Sequence, residues 1–270
     1  MILSATRRLS LAILVLAVGT AARGVPPATA LNADEIIRKA VERASNSPRN
    51  TAATGYTYTK VNVTEELDGK GNVKQRKRRV FQVSFQAGTT WVKLLEVDGH
   101  RPAEADLKYQ AETQSGMHQL LGSPNSGEEN HDSFLTREVT ARFDFTMAGQ
   151  TFINGREAYQ IHFAPKASGP PAHRMLDHLL DRISGTLCVD SQEYEVARAD
   201  IELGSEVDFL GGVLGCLRKL AYTMTRVRVA DGIWLHSVSS GDFEGRKLLD
   251  SMRIKTKSEC TNFRLMAANK

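Results

Sequence analysis

The sequence predicts an α+β protein, a curved antiparallel sheet wrapped around helices. Three observations carry this. From Gly55 onward apolar residues recur with a period of two, in runs separated by short turns rich in Asp, Asn and Gly. Consecutive runs are joined by hairpin signals, which pair neighbours antiparallel. The helical stretches do not alternate one for one with strands, so a parallel βαβ architecture is excluded.

The chain opens on Arg7 and Arg8, an uncharged apolar run from Leu9 to Val18, and the small residues Ala28-Thr29-Ala30. This reads as a secretory signal peptide over residues 1–30, cleaved near Ala30, with an apolar centre too short to span a bilayer. It contains no cysteine that would mark a lipoprotein. The expected mature protein, 31–270, is a single domain, periplasmic and not integral to the membrane.

Its first element is a helix. Asn32 is a good N-cap, and Glu35 completes a capping box. Ile36, Ile37, Ala40, Val41 and Ala44 share one face, opposite Arg38, Lys39, Glu42 and Arg43. Asn46-Ser47-Pro48 ends it. Tyr56, Tyr58 and Val61 to Glu66 then read as a strand, 68–72 as a turn, and Val73 to Gln86 as the return. Trp91 to Val97 follows. Ala141 to Met147 pairs with Ala158 to Pro165 around Asn154-Gly155, a strong hairpin signal. Gly185 to Val189 and Tyr194 to Leu203 repeat the pattern, as do Leu220 to Val229 and Ile233 to Ser239 around Asp231-Gly232. A last strand covers Ser251 to Glu259.

Two stretches break this meander. Pro102 to Leu121 is polar with helical character and runs into a Ser/Asn/Gly/acid loop. Pro171 to Ile183 is amphipathic, with Met175, Leu176, Leu179, Leu180 and Ile183 on one helical face. A sheet of about nine strands curls. The helices at Ala33 and Pro171 carry the apolar stripes to cover its concave face.

Removing the signal takes three arginines from 35 basic residues and leaves 32 against 31 acidic ones. A net charge near +1 gives no reason to expect nucleic acid. Cys188, Cys216 and Cys260 allow one disulfide and a free thiol, or three buried thiols. None stands at CxxC spacing. There is no GxSxG elbow, P-loop, HExxH or dinucleotide fingerprint, so neither catalysis, a cofactor nor a metal is called for. His173 and Asp177 stand at i,i+4, and Glu128, Glu129, His131 and Asp132 cluster in a loop. A solvated helix face and a solvated loop explain both sets without a metal.

The sharpest local feature is Lys74-Gln75-Arg76-Lys77-Arg78-Arg79. With a five-residue turn, Glu66 faces Lys74 and Thr64 faces Arg76, so part of the charge is paired across the hairpin. Lys74, Arg76, Lys77 and Arg78 are candidates for contact with anionic lipid heads or an acidic partner. A solvated arm kept from edge aggregation by charge is the favoured reading of the run.

The passages ADEIIRKAVERA, EVDGHRPAEA, FDFTMAGQTFINGREAYQIHFAPK, GTLCVDSQEYEVARADIEL and VADGIWLHSVS resemble exported bacterial proteins of the LolA/LolB-like lipoprotein-carrier superfamily. The likeness is to its outer membrane lipoprotein-sorting branch and covers most of 31–259. It implies an unclosed β-barrel whose apolar hollow is lidded by helices, which in the founding carriers holds lipoprotein acyl chains. The leading expectation is a non-catalytic periplasmic carrier of an acyl chain, lipoprotein or other apolar ligand, bound between sheet and helices. Ile37, Val41, Phe81, Val83, Phe85, Trp91, Leu176, Leu180 and Trp234 are the candidate cavity residues. Burying about ten methylenes contributes roughly 8 kcal/mol before binding costs. The alternative is a module with a filled core and no ligand, which contacts an envelope protein.

Overall fold

The Asn32 carboxamide caps the first helix as its sequence requires, accepting from Glu35 N at 2.7 Å. The computed structural model describes residues 32–46, 55–86, 89–121, 135–209, 215–247 and 250–266. The signal segment and the loop carrying Glu128, Glu129, His131 and Asp132 lie outside them. The described residues belong to one compact unit, 31–270. None of their helices is long and apolar enough to cross a membrane.

In chain order the elements are α1 (Ala33–Asn46), β1 (Tyr56–Leu67), β2 (Val73–Gln86), β3 (Thr89–Val97), α2 (Glu104–Leu121), α3 (Arg137–Thr140), β4 (Phe143–Ile153), β5 (Arg156–Pro165), α4 (Met175–Leu180), β6 (Ile183–Asp190), β7 (Val196–Leu203), β8 (Val207–Phe209), β9 (Gly215–Ala230), β10 (Ile233–Lys247) and β11 (Asp250–Leu265). The strands form one antiparallel, unclosed sheet in the order β3-β2-β1-β11-β10-β9-β7-β6-β5-β4, with β8 added beside β9. Three meanders, β1–β3, β4–β7 and β9–β11, are stitched by the pairs β1/β11 and β7/β9.

Local chemistry accounts for the turns. Asp68 closes β1/β2 by accepting from Lys70 N at 2.8 Å and Asn72 N at 2.9 Å. Asn154 and Gly155, both at positive φ, make the tight β4/β5 turn. Gly185 is required by packing: a Cβ there would lie 1.9 Å from the Asp200 carbonyl oxygen across β6/β7.

Three expectations are corrected. A bulge between Glu66 and Leu67 shifts the first hairpin by one residue, so Glu66 faces Gln75, Thr64 faces Lys77, and Glu65 faces Arg76. The Pro171 helix spans only Met175–Leu180, and Ile183 starts β6. The residues before it stay extended because the Pro170 and Pro171 carbonyls accept from the Arg142 guanidinium. Strands β9, β10 and β11 run longer than expected and β8 was not foreseen, since Ser, Gly and charge obscure the period there.

The sheet has two distinct faces. One row of register partners, Ile161–Leu187–Ala199–Met224–Ser239–Ser258–Asn62–Arg79, crosses the helix-bearing side. The parallel row on the other side is His162–Thr186–Asp200–Thr223–Ser240–Lys257–Val63–Arg78. Along its row the helix side is apolar over β4–β7 and polar over β10, β11 and β1.

Over β4–β7 the core is filled. The α1 stripe packs on Ile161 and Val189, with Ile36, Ile161 and Val189 all at 0 % exposure. Leu180 of α4 packs with Phe143, Phe163 and Ile183, and Phe145 and Leu187 touch both clusters. A separate cluster, Tyr58, Val83, Leu235 and Cys260, sits at the other end with partly buried Tyr56, Phe81, Val92, Val229 and Phe263. All three cysteines are free and buried.

Candidate functional site

Polar networks fix the helices on the sheet. At the C-terminal end of α1, Arg43 donates to the Gly232 carbonyl at 2.7 Å and lies 3.6 Å from Glu193 and 3.5 Å from Glu195. Arg226 bonds Glu195 and donates to the Trp234 carbonyl at 2.7 Å. The Trp234 indole N–H donates to Glu193 at 2.7 Å. Burial pushes the Glu193 carboxyl up, but that indole and Arg228 pull it below its ordinary value. Asp190 is opposed in the same way, by burial against the Arg156 guanidinium and the Glu193 and Gln192 N–H groups, and is also lowered.

The second network holds α4. Asp177 accepts from the backbone N–H groups of His173 and Arg174 at 3.0 and 2.9 Å and from the Arg174 side chain at 3.0 Å. Arg142 lies 3.5 Å away and bonds Asp181 at 2.8 Å. Burial opposes the charge, yet these donors hold the Asp177 carboxyl far below the carboxylate range. Its lone pairs are committed. Asp177 is a structural anion, and the sequence spacing with His173 reflects a cap.

One concavity among the described residues lies on the face opposite the helices. It is an open groove of about 560 Å³ across β2, β1, β11, β10 and β9. Val61, Val63 and Ala221 are its apolar lining; Glu65, Arg76, Asp242, Lys255, Lys257 and Glu259 supply charge of both signs. Arg76 meets Glu65 at 3.5 Å and Lys257 meets Glu259 at 2.6 Å, while Lys255 has no ion-pair partner among the described residues.

The candidate cavity residues fall into several places. Ile37 and Val41, with Leu176 and Leu180, are in the filled clusters over β4–β7. Phe81 and Val83 belong to the cluster at the other end. Trp234 is buried within the Arg226–Glu193 network, and Trp91 is 59 % exposed. The Phe85 side chain lies outside the described residues. None of the other eight lines the groove. Among the four basic candidates, Arg76 lines the groove, Arg78 alternates onto the same side, and Lys74 is the unpaired residue of the bulge. Lys77 points to the helix side, where it bonds Asp106 of α2 at 2.8 Å. Arg78 pairs with Glu96. Sequence reasoning missed the groove because its lining comes from five strands whose alignment is set by the β1/β11 pairing.

No protein-family model matches the chain, and no curated protein does. Solved structures similar to it at low identity include three bacterial proteins. A DUF1329 family protein from Desulfovibrio piger shares 14 % identity over 87 % of this chain and 95 % of its own, with a TM-score of 0.36. A putative outer membrane lipoprotein-sorting protein domain from Vibrio parahaemolyticus shares 11 % over 87 % and 95 %, with a TM-score of 0.33. A LolA superfamily protein from Nitrosomonas europaea shares 12 % over 89 % and 96 %, with a TM-score of 0.31.

Proposed function

We propose that this is a non-catalytic binding protein of the bacterial envelope, and that its partner docks on the open face of the sheet. The filled interface beneath α1 carries this reading. Ile36, Ile161 and Val189 leave no exposed surface, and Arg43, Glu193, Glu195 and Arg226 tie the helix end to two turns. An acyl chain would have to displace that packing and unpair buried charge. The groove asks for no displacement and offers an apolar strip between charges, suited to an envelope protein segment. Against catalysis, the buried carboxylates Asp177, Asp190 and Glu195 are each bonded to arginine.

A carrier function is the second reading. Phe81, Val92, Tyr56 and Phe263 pack together yet stay partly open, and Leu107 and Tyr109 of the α2 helix are exposed. An apolar ligand would sit there and contact Phe81 and Val83, not Ile37 or Leu180. Native mass spectrometry and solvent extraction of the protein purified from its own periplasm decide between the two. A lipid-free chain supports the filled-core module. A stoichiometric co-purifying lipid overturns it in favour of the carrier.

A further inference from the structure

The geometry points to a divalent-metal site of the zinc class at the β8/β9 corner. Glu206 immediately precedes β8, Asp208 is its central residue, and Cys216 lies at the start of β9. Asp208 and Cys216 are antiparallel register partners, which sets their side chains next to each other. Glu206 is two residues from Asp208 and therefore on the same side of the strand. One oxygen of each carboxylate and the Cys216 Sγ all lie within 4.8 Å of one another. Arg182 holds the segment by donating to the Glu206 carbonyl at 3.0 Å and to Ser205 Oγ at 3.1 Å.

Two features separate this cluster from ordinary surface acids. The Cys216 side chain is 2 % exposed and has no hydrogen-bond partner among the described residues, although it faces two carboxylates. The second is the pairing: among the described residues the two neighbouring carboxylates share a single ion pair. Asp208 has no side-chain ion pair among the described residues, and Arg218 reaches only Glu206, at 3.7 Å. Arg246 is the register partner of Cys216 on β10. A divalent ion between the three ligands would offset the charge of the two carboxylates and give the buried sulfur a partner.

The donor set selects the metal. A thiolate disfavours magnesium and calcium, and mixed sulfur and oxygen ligation suits zinc. Zinc takes bonds of about 2.3 Å to sulfur and about 2.0–2.2 Å to oxygen, and the two carboxylates are exposed and can rotate to meet it. Three protein ligands leave a fourth position for water or an external donor. Binding releases the thiol proton, so affinity must rise with pH.

Cobalt(II) titration of the reduced protein tests this, with cobalt as the visible substitute for zinc. The expected result is saturable one-to-one binding with a thiolate-to-cobalt charge-transfer band that zinc bleaches. Asp208→Asn and Glu206→Gln should each weaken binding at least tenfold, Cys216→Ser should remove the band, and Cys188→Ser should leave it. Asp208 and Glu206 are exposed, so their variants carry the test even where Cys216→Ser fails to fold. Absence of the band, or affinity unchanged in Asp208→Asn and Glu206→Gln, overturns the site.

Discussion

Asp177 shows how much one side chain organises. Its carboxylate collects two backbone N–H groups and Arg174, with Arg142 3.5 Å away, at a position 2 % exposed. Removing the charge leaves Arg142 its nearer partner Asp181 at 2.8 Å but takes the anionic acceptor from Arg174 and the two N–H groups, a loss of about 1.5–3 kcal/mol. Asp177→Asn should therefore lower the unfolding free energy by that order at neutral pH. The sign with pH follows from the depressed carboxyl. Its stabilisation is full above the unfolded carboxyl value of about 3.9 and declines as pH falls below it towards the folded value, because the unfolded chain takes up the proton first. Denaturant melts of both proteins from neutral pH down to the acid limit should converge as pH drops. A gap that stays constant would show that the carboxylate contributes no charge-dependent stability.

At the scale of elements, α1 and the β6/β7 pair are where packing dictates most. Ile37→Asp should destabilise by on the order of 3–5 kcal/mol, since the stripe it sits on has no water to solvate a charge. An unchanged thermal midpoint would mean α1 is not docked. Gly185→Ala should open the β6/β7 ladder, because its Cβ meets backbone that cannot swing away. Amide exchange across Ile183–Asp190 is the measurement, and protection equal to wild type would contradict the close approach. Where an element's instructions are local, the sequence states them. The Asn32 cap, the Asp68 turn and Asn154-Gly155 all stand where residue chemistry puts them. The Pro171 segment misled because its apolar spacing is helical, while its first residues answer to Arg142, some thirty positions away. The groove was illegible for a related reason: β1 meets β11 across the whole chain, and no local pattern encodes that pairing.

The whole molecule turns on that pairing, which places the basic hairpin beside the groove. Strand alternation splits the basic run between two faces with different work to do. Arg76 and Arg78 lie on the groove side, with Lys74 next along the strand at the bulge; Lys77 and Arg79 lie on the helix side, where Lys77 bonds Asp106 and Arg79 stacks over Tyr109 at 5.0 Å. A partner or anionic bilayer approaching the groove meets the first set alone. Replacing Lys74, Arg76 and Arg78 with Gln should thus weaken attachment to anionic vesicles or to an acidic partner at low salt. The difference should shrink near physiological salt, where charges are screened over about 8 Å. Thermal stability should hardly move, since exposed ion pairs contribute little to folding. Lys77→Gln should do the reverse, leaving attachment intact and loosening α2, visible as faster amide exchange over its first turns. Flotation with anionic and neutral vesicles at two salt concentrations, run beside exchange on both variants, separates the roles. Equal flotation of the triple variant and wild type in every arm would leave the hairpin as a solvated arm. Faster α2 exchange in the triple variant would contradict the division of the run by face.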